Sequence, residues 1–252
     1  YRPRIIPILT LNSDGELICT KNFDQRVYVG DPLNAIAIFN EYSVDEIGII
    51  DIYASREKRS LNGDFLKRIS EESKTPLMAG GGVNSLNKIK ELLQNGAEKV
   101  VLSSAILFRK EFLYEATEEF GTSSIVVCLD VKKINSKYFI YNSNSKNILN
   151  FTIDEFIVLL EKYGLGECIV QSIDNNGEMN GYDKNLYNLV NKISTVPIIG
   201  LGGCGMYEDI NSANEETNLS AYASGSAFCF FNRTNEVLIN YPEQSYINNL
   251  LK

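Results

Sequence analysis

Short apolar runs alternate with amphipathic stretches along the whole chain. The apolar runs read as buried strands near 4–10, 46–51, 76–80, 99–103, 124–130, 167–172, 197–201 and 220–226. Between them, hydrophobic positions recur at helical spacing near 31–43, 62–73, 84–95, 110–120, 152–163, 182–193 and 206–215, with a last such stretch near 243–251. The punctuation agrees. Asp31-Pro32 is a capping residue with proline in the first turn, Thr152 to Glu155 is a capping box, and Gly96, Gly121 and Gly164 are placed as helix stops. Strands that alternate with helices in this way predict an α/β fold, a parallel (β/α)8 TIM barrel.

The pattern also repeats. Glu46-Ile47-Gly48-Ile49-Ile50-Asp51 has its counterpart in Glu167-Cys168-Ile169-Val170-Gln171-Ser172, about 121 residues later. Pro76 to Gly82 matches Pro197 to Gly203 at the same offset, and Leu102-Ser103-Ser104-Ala105 matches Ser224-Gly225-Ser226-Ala227. No linker separates the copies. We expect one barrel domain over residues 1–252, built from half-barrels of approximately 1–121 and 122–252. Two connections are long, 11–30 and 131–151, and both fall at the C-terminal face of the predicted barrel, where long loops act as lids. The second is rich in Asn and Ser, with Lys137 to Tyr141 as a hairpin arm.

Composition narrows the chemistry. A net charge of −8 argues against a nucleic-acid partner. No apolar run approaches the roughly 18–20 residues of a membrane span, and the opening residues carry no signal-peptide pattern, so a cytoplasmic protein is expected. The five cysteines are widely spaced with no CxxC, which predicts reduced thiols and neither a disulfide framework nor a metal site. Histidine is absent, which removes Ser-His-Asp and Cys-His catalysis. Proton transfer falls to carboxylates, Lys, Tyr, Cys or the substrate, and no cofactor is expected.

Two glycine loops are candidate phosphate sites. Gly80-Gly81-Gly82 and Gly202-Gly203 each end a strand and open a helix, where close backbone approach and free N–H groups favour an oxyanion. The neighbouring strands end in Ser103-Ser104 and Gly225-Ser226. A ligand with a phosphate at each end would lie across the barrel mouth. There the strand Ile125 to Asp130 ends in a carboxylate, at the place where barrels put their chemistry. The matching strand, Arg4 to Thr10, ends in a threonine.

In combination these motifs resemble the cyclase subunit of imidazole glycerol phosphate synthase over nearly the whole chain. They are Arg4-Ile5-Ile6-Pro7, Asn22-Phe23, Gly30-Asp31-Pro32, Asp45-Glu46, Asp51-Ile52-Tyr53-Ala54-Ser55, Gly80-Gly81-Gly82-Val83, Glu98-Lys99-Val100, Asp130-Val131-Lys132, Ser172-Ile173-Asp174 and Gly181-Tyr182-Asp183. The resemblance implies a glutaminase partner docked on the N-terminal face and ammonia passed along the barrel axis through a gate at Arg4, Glu46, Lys99 and Glu167. It also implies substrate contacts at Asp51, Ser172 and Asp174 beside the two glycine loops, and two catalytic acids, of which Asp130 is one.

The chain departs from the family at the substrate end. Thr10 stands in place of the second acid, Cys19 in place of a substrate-holding lysine with Lys21 two residues on, Asn176 in place of a further acid, and Leu201 in place of a small polar residue. A threonine hydroxyl does not exchange a proton near neutral pH. A branch of the family that resembles this chain supplies ammonia for acetamidino sugars of bacterial surface glycans. One expectation is therefore an ammonia-accepting subunit acting on a nucleotide-linked sugar, with Asp130 as its base. The alternatives are an ordinary histidine-pathway cyclase, a sugar-phosphate isomerase without a partner, and a non-catalytic activator or scaffold of the glutaminase.

Overall fold

A computed structural model describes residues 2–251. The chain enters through β1 (Arg4–Leu11) and turns into a hairpin, β2 (Leu17–Lys21) and β3 (Gln25–Gly30). Helix and strand then alternate through α1 (Pro32–Phe39), β4 (Ile47–Asp51), α2 (Gly63–Glu72), β5 (Leu77–Gly80), α3 (Leu86–Gln94), β6 (Lys99–Leu102), α4 (Ser104–Phe108), α5 (Glu111–Phe120) and β7 (Ile125–Ile134). A second hairpin follows, β8 (Lys137–Asn142) and β9 (Asn147–Thr152). The chain finishes with α6 (Ile153–Glu161), β10 (Glu167–Ser172), α7 (Lys184–Ile193), β11 (Ile198–Leu201), α8 (Tyr207–Glu216), β12 (Ala221–Ser224), α9 (Ser226–Cys229) and α10 (Gln244–Leu250).

Strands β1, β4, β5, β6, β7, β10, β11 and β12 pair in parallel in that order, and β12 returns to β1 from Arg4↔Ala221 to Pro7↔Ser224. This closed barrel is the predicted TIM fold. The hairpins lie outside it, β2 pairing with β1 and β8 with β7. No helix among the described residues is long and apolar enough to cross a membrane.

The strand alternation organises everything that follows, because successive side chains point to opposite faces. One face packs the helices: Ile5 and Leu9 of β1 and Cys168 and Val170 of β10 belong to the large outer core. The other fills the barrel: Ile6 and Ile8, Met78, Val101, Val126, Ile169, Ile199, Ala221 and Ala223 form a second cluster, with Ile50, Cys128 and Leu201 packed on it. Gly48 makes room inside, since a Cβ there would lie 2.5 Å from Ile8 Cδ1.

Two boundaries differ from the sequence expectation. The strand expected to end at Asp130 runs on to Ile134, because Val131 to Ile134 pair with β8. The last strand stops at Ser224, and Gly225-Ser226 turn into α9. Ser104 likewise opens α4. Both small-hydroxyl segments therefore start short helices, whose first N–H groups have no partner within the helix.

Candidate functional site

Read along the inward face, the barrel strands change from charged to aliphatic to polar. β1 carries Arg4, Ile6, Ile8 and Thr10; β6 carries Lys99 and Val101, with Ser103 next; β10 carries Glu167, Ile169 and Gln171. The charged layer lies at the strand starts and the polar layer at the strand ends.

At the strand starts, Arg4 bridges Glu46 and Glu167. Lys99 bridges the same two carboxylates, at 3.1 Å from Glu46 and 2.7 Å from Glu167. The four residues form a closed ring of alternating charge. Burial works against the Arg4 charge, but Glu167 and Glu46 outweigh it and hold the guanidinium above its ordinary pKa. Burial pushes Glu46 up despite Lys99 and Arg4. Only 3% of Glu46 is exposed, so it is the ring member most dependent on its partners.

At the strand ends lies a cavity whose floor is the aliphatic layer: Ile8, Ile50, Val101, Cys128, Ile169 and Leu201. Its wall brings together Thr10, Asp51, Gly81, Gly82, Ser103, Ser104, Asp130, Gly202, Gly203, Gly225 and Ser226. The two glycine loops approach neighbouring backbone closely. A Cβ on Gly82 would sit 1.8 Å from Arg59 O and one on Gly203 2.1 Å from Gly181 O, and both residues have positive φ, 65° and 102°. Gly82→Ala is thus expected to destabilise the fold by about 2 kcal/mol or more, read as a lower urea midpoint at unchanged m-value.

Asp130 and Asp51 are the two carboxylates in this wall among the described residues, and they differ. Asp51 accepts hydrogen bonds from Tyr53 N (3.0 Å) and Ala54 N (2.9 Å) and is ion-paired with Arg59. It braces the loop after β4. Asp130 faces the cavity but is walled by protein, and burial raises its pKa to about 6, opposed by a hydrogen bond donated by the Ser143 hydroxyl. Burial pushes the neighbouring Cys128 thiol well up, so it stays protonated. Asp130 is therefore the group able to exchange a proton near neutrality.

Thr10 lines the cavity, but its hydroxyl donates to Ile18 O in the adjoining hairpin. Asn176, also in the wall, accepts from Thr20 Oγ1 (3.2 Å) and Phe23 N (3.4 Å). Both departures from the family pattern now fasten the β2–β3 hairpin. Cys19 lines the cavity, whereas Lys21 turns to Glu178 at 3.1 Å.

Two expected substrate contacts are not in the cavity wall. Ser172 is 2% exposed and follows Gln171, so strand alternation sends Gln171 inward and Ser172 outward. Asp174 accepts from Lys133 N at 2.8 Å, outside the lining. Gln171 could have been found by counting inward from Glu167 and Ile169. Ser143, Asn144, Arg26 and Arg56 also line the cavity. Ser143, Asn144 and Arg56 arrive on loops and Arg26 on the hairpin strand β3 outside the barrel, where no count along a barrel strand applies.

Comparison with known proteins gives the family. The family model described as "Histidine biosynthesis protein" matches residues 4–234. A Vibrio vulnificus protein named "Putative imidazole glycerol phosphate synthase subunit hisF3" is 38% identical over 97% of this chain and 94% of its own length. A Pseudomonas aeruginosa protein bearing the same name with the designation hisF2 is 35% identical over 96% of each chain. The "Imidazole glycerol phosphate synthase subunit HisF" of Lactococcus lactis strain MG1363 is 34% identical over 89% of this chain and 87% of its own.

Proposed function

The chain belongs to the histidine biosynthesis protein family, and from that premise we propose that it is the ammonia-accepting subunit of a glutamine-dependent amidotransferase acting on a nucleotide-linked sugar. One observation carries this reading: the ring of Arg4, Glu46, Lys99 and Glu167 is complete, while the acid position at the end of β1 holds Thr10 with its hydroxyl engaged by Ile18. Features suited to ammonia entry are kept, and features suited to a two-acid ring closure are not.

On this reading a partner glutaminase releases ammonia beneath the ring, and the aliphatic axis leads it to the cavity. The Gly81-Gly82 loop with Ser103 and Ser104, and the Gly202-Gly203 loop with Gly225 and Ser226, hold phosphates through backbone N–H groups and hydroxyls. Ammonia forms a C–N bond to an activated carbon of the sugar, Asp130 takes the proton that the adduct nitrogen sheds, and the activating group leaves with its bonding pair and that proton as its bond to the carbon breaks. Fixing the two reactants together supplies most of the acceleration. One base near neutrality suffices for the proton.

The names of the relatives favour a second reading, the histidine-pathway cyclase. The relatives that cover 96–97% of this chain are all named putative imidazole glycerol phosphate synthase subunits, with the designations hisF3, HisF and hisF2. Complementation separates the two. A strain lacking its cyclase is expected to stay unable to grow without histidine when supplied with this chain and its glutaminase. Purified chain with ammonium is expected to add nitrogen to a nucleotide-linked sugar, seen by mass. Growth without histidine would overturn the first reading.

A further inference from the structure

We propose that Ser143, carried on the tip of the β8–β9 hairpin, is a positioning residue for Asp130, held over the acid by Ser55 and Arg56 of the segment after β4. The inference rests on reading Asp130 as the base of this site. Asp130 immediately precedes the residues of β7 that pair with β8, so the hairpin arms rise beyond the barrel and the turn must fold back to reach it. That turn is built in advance. Asn142, 4% exposed, accepts the backbone N–H groups of Asn144 (3.0 Å) and Ser145 (3.3 Å), and Lys146 adopts φ +56°.

The turn is then fastened across the cavity mouth. Arg56 donates to Ser143 O at 2.8 Å, and Asn144 Nδ2 donates to Ser55 Oγ at 2.8 Å. Ser55 Oγ in turn shares a hydrogen bond with Ser104 Oγ at 2.8 Å. A continuous chain of hydrogen bonds thus runs from Ser104, at the start of α4, to the tip that delivers the Ser143 hydroxyl to Asp130 Oδ2. Donation to one carboxylate oxygen favours the ionised form and fixes the plane of the group, leaving Oδ1 for the substrate proton. Without it, burial alone would govern the carboxyl.

The other titratable groups in the cavity wall are Cys128 on the same strand, Asp51 on β4, Cys19 on β2, Cys204 after β11, Tyr53 beside β4, Tyr141 on β8 and the cations Arg26 and Arg56. All are common to the wild type and the variants below, so a difference between them reports the Ser143 contact.

The test is a carbon-13 titration of the full chain labelled at aspartate carboxyls, with the Asp130 signal assigned by its loss in Asp130→Asn. The wild-type midpoint is expected at about 6. Ser143→Ala should raise it by about one pH unit, Ser143→Thr should restore it, and Asn144→Ala should give an intermediate rise because the hydroxyl stays but its anchor goes. An unmoved midpoint in Ser143→Ala overturns the proposal, and an unmoved midpoint in Asn144→Ala overturns the anchoring chain. The titration needs no substrate, so absence of sugar amidation would count against the proposed function alone.

Discussion

Asp130→Asn is expected to lower turnover by about 10²–10⁴-fold while making the folded chain more stable at neutral pH. The two effects share one cause. Burial raises the Asp130 carboxyl from an ordinary 3.8 to about 6 in the fold. In the unfolded chain it titrates near its ordinary value, so between the two values the unfolded state binds fewer protons than the folded one, and stability falls as pH rises. Below the ordinary range the carboxyl is protonated in both states and the variant gains nothing. Above about 6 the full penalty, roughly 3 kcal/mol, is present, and an uncharged amide escapes it. Urea unfolding of both proteins from pH 4 to 8 checks this. The variant's advantage should open through that window and then stay level. An advantage that does not change with pH would show that Asp130 is ionised as easily as a surface carboxylate.

The layout behind this prediction was largely legible in the sequence. Arg4, Ile6, Ile8 and Thr10 alternate with residues of the outer core, so a single strand already states that the barrel interior is charged at its start and polar at its end. Asp130 follows from the same count, and the two glycine loops from their place after a strand. What the sequence could not state is how each side chain is occupied. Asp51 stands in the wall like Asp130, yet it is saturated by Arg59 and two backbone N–H groups. Thr10 was visible as a missing acid, but its bond to Ile18 depends on the fold of a hairpin. Ser143 comes from 13 residues beyond Asp130, over a turn set by Asn142, and strand periodicity says nothing about where such a tip lands. Ser172 came from the family resemblance alone, whereas the alternation that runs through Glu167 and Ile169 brings Gln171 to the inward face.

The charged ring yields the other large effect. Glu46→Gln leaves Arg4 and Lys99 with Glu167 as their one shared carboxylate, in a place where Glu46 itself is 3% exposed. Breaking a buried ion network by removing one partner costs about 3 kcal/mol, because the remaining charges keep their desolvation penalty. Replacing all four together, Arg4→Met, Glu46→Leu, Lys99→Met and Glu167→Leu, removes that penalty, so most of the lost stability should return. If the ring were only a structural plug, this quadruple variant would behave as wild type in every assay. On the proposed reading it separates two activities. Turnover with free ammonium should be kept, because the cavity around Asp130 lies beyond the aliphatic layer and is untouched. Turnover with glutamine and the partner should fall by about tenfold or more, because ammonia is no longer delivered from below at high local concentration. Equal loss with both nitrogen sources would mean that the ring acts on the cavity through the barrel's packing. Equal retention would mean that ammonia does not pass it. A stability deficit in Glu46→Gln that the quadruple variant repairs, together with a selective loss of glutamine-dependent turnover, is the combination that a charged entrance produces and a plug does not.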